Sequence, residues 1–292
     1  MELIFYQVDV FTDQPLAGNP LAVFVDAEGM DADQMLAVAR EMNLSETTFL
    51  FPPSQTDCDF QVRIFTPGKE IPFAGHPTLG TAHVLFQQGL LGSDRDACRF
   101  EMGIGPIDVE REGSTFMMVQ PQPEFQSPRT DRQAIAQALG LDAKDLHPNL
   151  PAQVVSTGFP ALFVPLKSLD ATGRTALNLT RLRDILGKVD MIYPFCLEAV
   201  NPEAQVHTRG FAPFIGIPED PATGSVAGAM GAYLAHHHVL DATRLSDLTL
   251  EQGLEINRPS EIKVSVEMAG GKIGSIRVGG KARTVAEGRL FL

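Results

Sequence analysis

Cysteine is scarce in this 292-residue chain, which has three cysteines and no tryptophan. Cys58, Cys98 and Cys196 are odd in number, lie far apart and form no Cys-x-x-Cys pair. Structural zinc sites and disulfide frameworks both require patterned, closely spaced cysteines. The sequence therefore predicts neither of them, and it fits a reducing cytoplasm best.

Basic residues are also in deficit, because 23 lysines and arginines face 36 aspartates and glutamates for a net charge of −13. Surfaces that bind nucleic acids or anionic membranes carry a basic excess, so neither partner is expected. No apolar stretch reaches the length of a membrane span. Residues 1–6 lack the basic flank and long apolar run of a signal peptide. We expect a cytoplasmic protein.

Several signatures of common enzyme classes are missing. No predicted strand leads into Gly-x-Gly-x-x-Gly, no Gly-x-x-x-x-Gly-Lys-Ser/Thr occurs, and Gly224-Ser225 lacks the second glycine of a Gly-x-Ser-x-Gly elbow. These motifs mark dinucleotide-binding folds, nucleoside triphosphatases and α/β-hydrolases. The sequence therefore predicts neither a doubly wound Rossmann fold nor a hydrolase triad.

One stretch of sequence is present in two copies, at 65–82 and at 211–227. The residues that match at a constant offset are Phe65, Pro67, Ile71 and Pro72 with Phe211, Pro213, Ile217 and Pro218. After a two-residue gap, His76-Pro77 aligns with Asp220-Pro221, and Gly80-Thr81 with Gly224-Ser225. The offset is about half the chain length, which indicates two similar halves rather than a short-period solenoid.

Each copy is typical of a strand that passes through a proline-marked turn into an apolar helix. A Thr or Ser near the helix start can cap its free N–H groups, and glycine allows a ligand to approach the backbone. Free N–H groups and the helix dipole favour a carboxylate or phosphate. Two such helix starts facing each other would hold a small anion from both sides. The alternative for either copy alone is an ordinary strand-turn-helix junction.

The two copies lead into Gly/Ala-rich helices, predicted at 78–88 and 223–237, which are apolar around most of their surface and therefore expected to be buried. Residues 99–109 and 114–119 are predicted to form a hairpin around Gly113. The prolines at 121, 123 and 128 mark a linker. Near the C-terminus, Gly270-Gly271 and Gly279-Gly280 are predicted to be turns between strands.

Three ionisable residues are candidates for proton transfer. Glu46 precedes Thr47, Thr48 and a run of apolar residues, so burial would raise its pKa and allow proton exchange near neutrality. The alternative is a surface glutamate at the start of a strand. His76 can donate or accept a proton, or serve as a turn residue. Asp220 is either a site residue or a helix cap. The three consecutive histidines at 236–238 point in different directions on a helix and are not expected to bind one metal ion.

These residues resemble motifs of the PhzF family, in the diaminopimelate epimerase superfamily. The matching segments are 9–12, 18–20, 43–47, 65–67, 75–78, 209–211 and 219–225, with a later match at 252–253 and 258–260. The block from Glu219 to Ser225 (Glu-Asp-Pro-Ala-Thr-Gly-Ser) is specific to this family. The resemblance spans nearly the whole chain.

The resemblance implies an α+β fold of the diaminopimelate epimerase type, with two pseudo-symmetric domains, each a β-barrel-like sheet wrapped around a central helix. The first half is expected at 1–120, completed by the C-terminal strand at 282–292, and the second at 121–281. The active site is expected between them. The resemblance also implies a homodimer with no metal and no organic cofactor.

The namesake of the family isomerises trans-2,3-dihydro-3-hydroxyanthranilate by moving a proton along a conjugated system. By position, Glu46 would be the acid/base, His76 and Asp220 would assist, and Gly75, Gly224 and Ser225 would contact a small carboxylate-bearing substrate.

The cysteine pair used by the classical epimerases is missing here, since Gly75 and Asp220 stand at the corresponding places. A two-thiol racemase is therefore excluded. Three functions stay open at this stage: a proton-shifting isomerase that uses Glu46, an amino-acid epimerase that uses Glu46 and Asp220, and a binding protein without turnover.

Overall fold

The computed structural model describes residues 1–92 and 94–292 and contains two compact units. The first unit comprises Met1–Val119 and Gly279–Leu292, and the second comprises Gln120–Val278. Among the described residues, no helix combines the length and the apolar character needed to cross a membrane.

The secondary structure is mainly β, with short helices between the strands. In chain order, the strands are β1 (Glu2–Val10), β2 (Asn19–Phe24), β3 (Glu46–Phe51), β4 (Phe60–Phe65), β5 (Glu70–Ile71), β6 (Ala97–Met102), β7 (Gly105–Glu112), β8 (Thr115–Gln120), β9 (Glu124–Phe125), β10 (Gln153–Ser156), β11 (Pro160–Pro165), β12 (Met191–Cys196), β13 (Val206–Thr208), β14 (Gly210–Ala212), β15 (Ile217–Asp220), β16 (Leu248–Gln252), β17 (Ser260–Ala269) and β18 (Lys272–Phe291). The α-helices are α1 (Ala32–Met42), α2 (Gly75–Gln87), α3 (Arg132–Ala138), α4 (Leu169–Gly173), α5 (Leu179–Leu186), α6 (Gly224–His236) and α7 (Ala242–Ser246). Short 3₁₀ helices lie at Ala143–Asp145, Pro213–Ile215 and Leu254–Ile256.

The first unit is a closed ring of strands around α2. The pairs run β1–β2, β2–β3, β3–β4, β4–β6, β6–β7, β7–β8 and β8–β18, and β18 returns to β1. Helix α2 packs against β1, β2, β3 and β7 and is buried along most of its length. Because α2 has small or apolar side chains on most of its surface, a surrounding sheet is needed to cover it. Helix α1 packs on β3 and β4 in a second cluster that includes Met35, Val38 and Phe49.

The second unit repeats the same order of strand pairings. In the first unit, β1–β2 is antiparallel, β2–β3 parallel, β3–β4 antiparallel, β4–β6 parallel and β6–β7 antiparallel. The pairs β10–β11, β11–β12, β12–β13, β13–β16 and β16–β17 follow the same sequence of directions. Helix α6 takes the place of α2 and packs against β10, β11 and β17. The expectation of two similar halves, each built around a buried apolar helix, is therefore confirmed.

Three local predictions need correction. Gly279-Gly280 is not a turn, because β18 continues through both residues. A Cβ at Gly279 would collide with the carbonyl oxygen of Phe116, so this glycine allows close backbone approach instead. The predicted strand at 99–109 is two strands, β6 and β7, that turn near Gly103. Helix α2 begins at Gly75 rather than at 78, since Pro77 is tolerated within the first turn.

Glycine in the central helix of the second unit makes room for two stiff side chains. A Cβ at Gly231 would lie 2.7 Å from Cγ2 of Val266 and 2.8 Å from Cγ1 of Val264. Valine has one strongly preferred rotamer, so neither neighbour can swing aside easily. We expect Gly231→Ala to lower the free energy of unfolding by about 1–3 kcal/mol, as overpacking does, despite the better helix propensity of alanine.

Urea unfolding measures this effect, with Gly173→Ala in α4 as the matched control. No atom lies within 4 Å of a Cβ built at Gly173. That variant should be as stable as the wild type or slightly more stable. Equal stability of the Gly231→Ala and Gly173→Ala variants would contradict close packing around α6.

Candidate functional site

Glu46 is the first residue of β3 and is buried, with 8% of its surface exposed. Alternate residues of a strand share a face, so Glu46 and Thr48 lie on one side of β3. The Thr48 hydroxyl is 3.0 Å from that of Thr81 on α2, which shows that this face packs on the central helix. Phe49 lies on the other face, stacked on Phe24. The alternative of a surface glutamate is therefore wrong.

Burial raises the pKa of Glu46 to about 7, although a hydrogen bond with Ser45 acts in the opposite direction. Burial disfavours the charged form because the carboxylate loses its hydration. At neutral pH, the acid and the carboxylate are therefore both populated. This is the condition under which one group can take up a proton and return it.

His76 lies in the first turn of α2, next to Glu46. Its Nε2 is 3.5 Å from Oε2 of Glu46, and both side chains are buried. Gly75, also buried, is the first residue of the same helix. The structure thus brings three of the candidate residues, Glu46, Gly75 and His76, to one place within the first unit.

Neither central helix has a side-chain N-cap, contrary to the suggestion that Thr or Ser would cap it. Ala74 precedes α2 and Thr223 precedes α6, and neither side chain accepts a hydrogen bond from the first turn. No acidic residue occupies the first turn of either helix. Both helix starts therefore keep the partial positive charge that attracts anions.

Asp220 is the last residue of β15 and is not the N-cap of α6, so its interpretation as a helix cap is wrong. It is buried, and its Oδ2 accepts a hydrogen bond of 2.6 Å from the Thr223 hydroxyl. The Gln252 side chain donates to the carbonyl oxygen of Asp220 at 2.7 Å and to Oγ1 of Thr223 at 3.0 Å. The carboxylate is thus held in one orientation by its own unit.

Gly224 and Ser225, the other two candidates in the second unit, form the first turn of α6. Gly224 is buried, and its carbonyl oxygen accepts a hydrogen bond of 2.9 Å from Gln120. Ser225 is half-buried. Asp220, Gly224 and Ser225 therefore lie close together in the chain, where β15 ends and α6 begins.

A buried cluster of charges supports the hairpin that carries Asp220. Arg209 makes a two-pronged ion pair with Glu219 at 2.7 and 2.8 Å, and donates to the carbonyl oxygens of Thr172, Gly173 and Thr175. A bidentate pair of this kind fixes geometry as well as charge. Since Glu219 is adjacent to Asp220, Arg209 anchors the end of β15.

Glycines make this arrangement possible. A Cβ at Gly210 would lie 2.8 Å from Oγ1 of Thr223 and 2.9 Å from Nε2 of Gln252. Gly253 has a φ of +81°, and a Cβ there would lie 2.6 Å from the carbonyl oxygen of Pro221. Side chains at these two positions would displace the groups around Asp220.

The three cysteines are buried and reduced. Burial raises the pKa of each thiol, that of Cys98 to about 12. The thiolate is the reactive form of cysteine, so none of the three is primed for acid/base work at neutral pH. These surroundings are consistent with the expectation that no pair of thiols acts as acid and base here.

Two of the three consecutive histidines contact neighbouring side chains. His236 stacks on Phe125 with ring centroids 4.4 Å apart, and Nε2 of His237 lies 2.7 Å from Oε1 of Gln153. Within residues 1–92 and 94–292, no three His, Cys, Asp or Glu side chains are grouped as metal ligands would be.

Sequence reasoning missed Thr223, Gln252 and Tyr193 as neighbours of Asp220. Thr223 lies within the Glu219–Ser225 block, so the sequence could have indicated it as a site residue. Gln252 and Tyr193 are separated from Asp220 by about thirty residues on either side, and no local pattern links them. Only the pairing of β13 with β12 and β16 brings them together.

Solved structures of other proteins share the α+β fold of this chain. A phenazine biosynthesis protein of the PhzF family from Bacillus anthracis is 30% identical, with full coverage of both chains and a TM-score of 0.89. A hydroxyproline epimerase from Agrobacterium vitis is 12% identical over 99% of this chain and 92% of its own, with a TM-score of 0.67, and shares the fold alone.

The family model described as phenazine biosynthesis-like protein matches residues 8–288, so the chain belongs to the PhzC-PhzF family. It is 36% identical to the trans-2,3-dihydro-3-hydroxyanthranilate isomerase of Pseudomonas aeruginosa, over 98% of each chain. It is 39% identical to an uncharacterised isomerase of Mesorhizobium japonicum, over 97% of each chain. The protein is an enzyme of the isomerase class.

Proposed function

We propose that this protein is a cofactor-independent isomerase that moves a proton on a small carboxylate-bearing molecule, with Glu46 as the acid/base. The observation that supports this most is the burial of Glu46 beside His76, with a pKa of about 7. In the reaction, the Glu46 carboxylate takes a proton from a carbon atom, and the electron pair left behind moves into a conjugated system. Glu46 then returns the proton to a different carbon atom, so the enzyme ends unchanged.

The helix starts and the names of the relatives support a substrate class. An uncapped helix start with no acidic residue in its first turn is a favourable place for a carboxylate, and each unit has one. Gly75, Gly224 and Ser225 would provide these contacts, with His76 and Asp220 assisting. A relative 36% identical to this chain is named for trans-2,3-dihydro-3-hydroxyanthranilate. We propose a cyclic amino- or hydroxy-carboxylate of that kind.

Proton exchange with solvent tests the proposal. The wild-type protein is incubated in deuterated water with trans-2,3-dihydro-3-hydroxyanthranilate and a panel of cyclic and acyclic amino- and hydroxy-carboxylates, followed by NMR. We expect deuterium at carbon in one member, together with migration of a double bond. Exchange with inversion at a single carbon would indicate an epimerase instead. Binding without exchange in any member would contradict turnover and favour a binding protein.

A further inference from the structure

The Gln252 amide lies between two backbone groups that determine its orientation. Its Nε2 is 2.7 Å from the carbonyl oxygen of Asp220, which can only accept a hydrogen bond. Its Oε1 is 3.2 Å from the backbone N–H of Thr223, which can only donate. In the opposite amide orientation, Nε2 would face the backbone N–H of Thr223 and Oε1 would face the carbonyl oxygen of Asp220. A single orientation therefore satisfies both neighbours.

This orientation determines the direction of every hydrogen bond that follows. Tyr193 Oη, 2.6 Å from Gln252 Oε1, must donate to it. Burial raises the pKa of Tyr193, so the phenol keeps its proton at neutral pH. On the other side, Thr223 Oγ1 must accept from Gln252 Nε2 at 3.0 Å. The single Thr223 proton is then directed at Oδ2 of Asp220, 2.6 Å away.

We infer that Gln252, through Thr223, is a positioning residue that fixes Oδ2 of Asp220 as a hydrogen-bond acceptor. A proton on Oδ2 of Asp220 would face the Thr223 proton across 2.6 Å, which is unfavourable. The inference rests on the proposed function, in which Asp220 assists and Glu46 carries the moving proton.

The charged groups near Asp220 on the same hairpin and on β16 have partners of their own. Arg209 and Glu219, on the same hairpin, pair with each other at 2.7 and 2.8 Å. The first turn of α6 contributes no acidic residue. Glu251, the neighbour of Gln252 on β16, pairs with His207. The Thr223 hydroxyl is therefore the group through which Gln252 acts on the Asp220 carboxyl.

Infrared difference spectroscopy on the full chain tests the hydrogen bond to Asp220 without any substrate. The bands of the Asp220 carboxyl group are identified in the wild type by subtracting the spectrum of Asp220→Asn, and the same subtraction is repeated in Thr223→Val, Thr223→Ser and Gln252→Met. These bands should shift in Thr223→Val and Gln252→Met, which lose the hydroxyl or the amide that orients it, and should keep their wild-type positions in Thr223→Ser. Wild-type positions in both Thr223→Val and Gln252→Met would overturn the inference.

Kinetics with the substrate that the exchange panel identifies provide the second arm. Thr223→Val keeps the side-chain shape and removes the hydroxyl, and Thr223→Ser keeps the hydroxyl. Loss of the hydrogen bond that orients Asp220 should lower kcat about 10-fold in Thr223→Val, and Thr223→Ser should retain most of the rate. Equal rates in the two variants would contradict the role of Thr223. If no substrate is found, the proposed function fails, and the infrared arm still decides whether Thr223 and Gln252 orient Asp220.

Discussion

Glu46→Gln is expected to abolish most of the proton exchange and, at the same time, to stabilise the protein above neutral pH. Glutamine keeps the shape of the side chain but cannot bind or release a proton. Loss of a positioned acid/base typically costs about 10²- to 10⁴-fold in rate. We expect kcat to fall by roughly that factor, with intact folding by circular dichroism.

The stability gain follows from the raised pKa of Glu46. An unfolded glutamate has a pKa of 4.5, and burial raises the value in the folded protein to about 7. Between these values the folded state binds more protons than the unfolded state. The contribution of Glu46 to the free energy of unfolding is therefore fully present below pH 4.5 and is lost as the pH rises through 7. The difference in pKa corresponds to roughly 3 kcal/mol, a loss that the Glu46→Gln variant avoids because an amide side chain is never charged.

Urea unfolding at pH 5 and pH 8 separates this effect from ordinary mutational change. Glu46→Gln should lie close to the wild type at pH 5 and above it at pH 8. The matched control is Glu41→Gln on the exposed surface of α1, which should leave the rate and both stabilities unchanged. Full activity in Glu46→Gln would assign Glu46 a purely structural role, and a loss of stability at pH 8 would contradict its raised pKa.

The repeat and the two central helices could be predicted because their signals are local. Helix α6 is rich in glycine and alanine, both helices have small or apolar side chains on most of their surface, and such segments are most stable in the interior. The matched motifs in front of each helix showed that the arrangement occurs twice. Helix boundaries were less accurate, because a proline such as Pro77 is compatible with both a turn and a first helical turn.

The burial of Glu46 could not be predicted, because it depends on which face of β3 meets α2. A carboxylate at a strand start is equally compatible with solvent, and only the contact between Thr48 and Thr81 decides the face. Gly279-Gly280 illustrates the same limit, since two glycines favour a turn and also favour close packing. The direction of the hydrogen bonds to Asp220 depends on Gln252, which reaches it only through the pairing of distant strands.

His207 in the second unit is held between two carboxylates. Its Nδ1 is 2.6 Å from Glu251 and its Nε2 is 2.8 Å from Glu255. Both partners only accept when ionised, so both ring nitrogens must donate and the ring carries a positive charge. Burial lowers the pKa of His207, but the hydrogen bonds to the two carboxylates outweigh burial and raise it to about 9.

His207→Ala is therefore expected to be strongly destabilising near neutrality, because it leaves the buried Glu251 charge without its cation. Removal of one partner from a buried ion pair costs about 3–5 kcal/mol. The raised pKa of His207 means that its contribution is complete below pH 6.5 and is lost as the pH rises through about 9. The difference between wild type and variant should accordingly shrink by roughly 3 kcal/mol from pH 6.5 to pH 10.

Urea unfolding of both proteins across this range measures the difference directly. His238→Asn is the matched control, because His238 is exposed and asparagine tolerates its left-handed backbone at φ +53°. That variant should follow the wild-type profile. A constant difference between the wild type and His207→Ala from pH 6.5 to pH 10 would mean that His207 is uncharged in the folded protein.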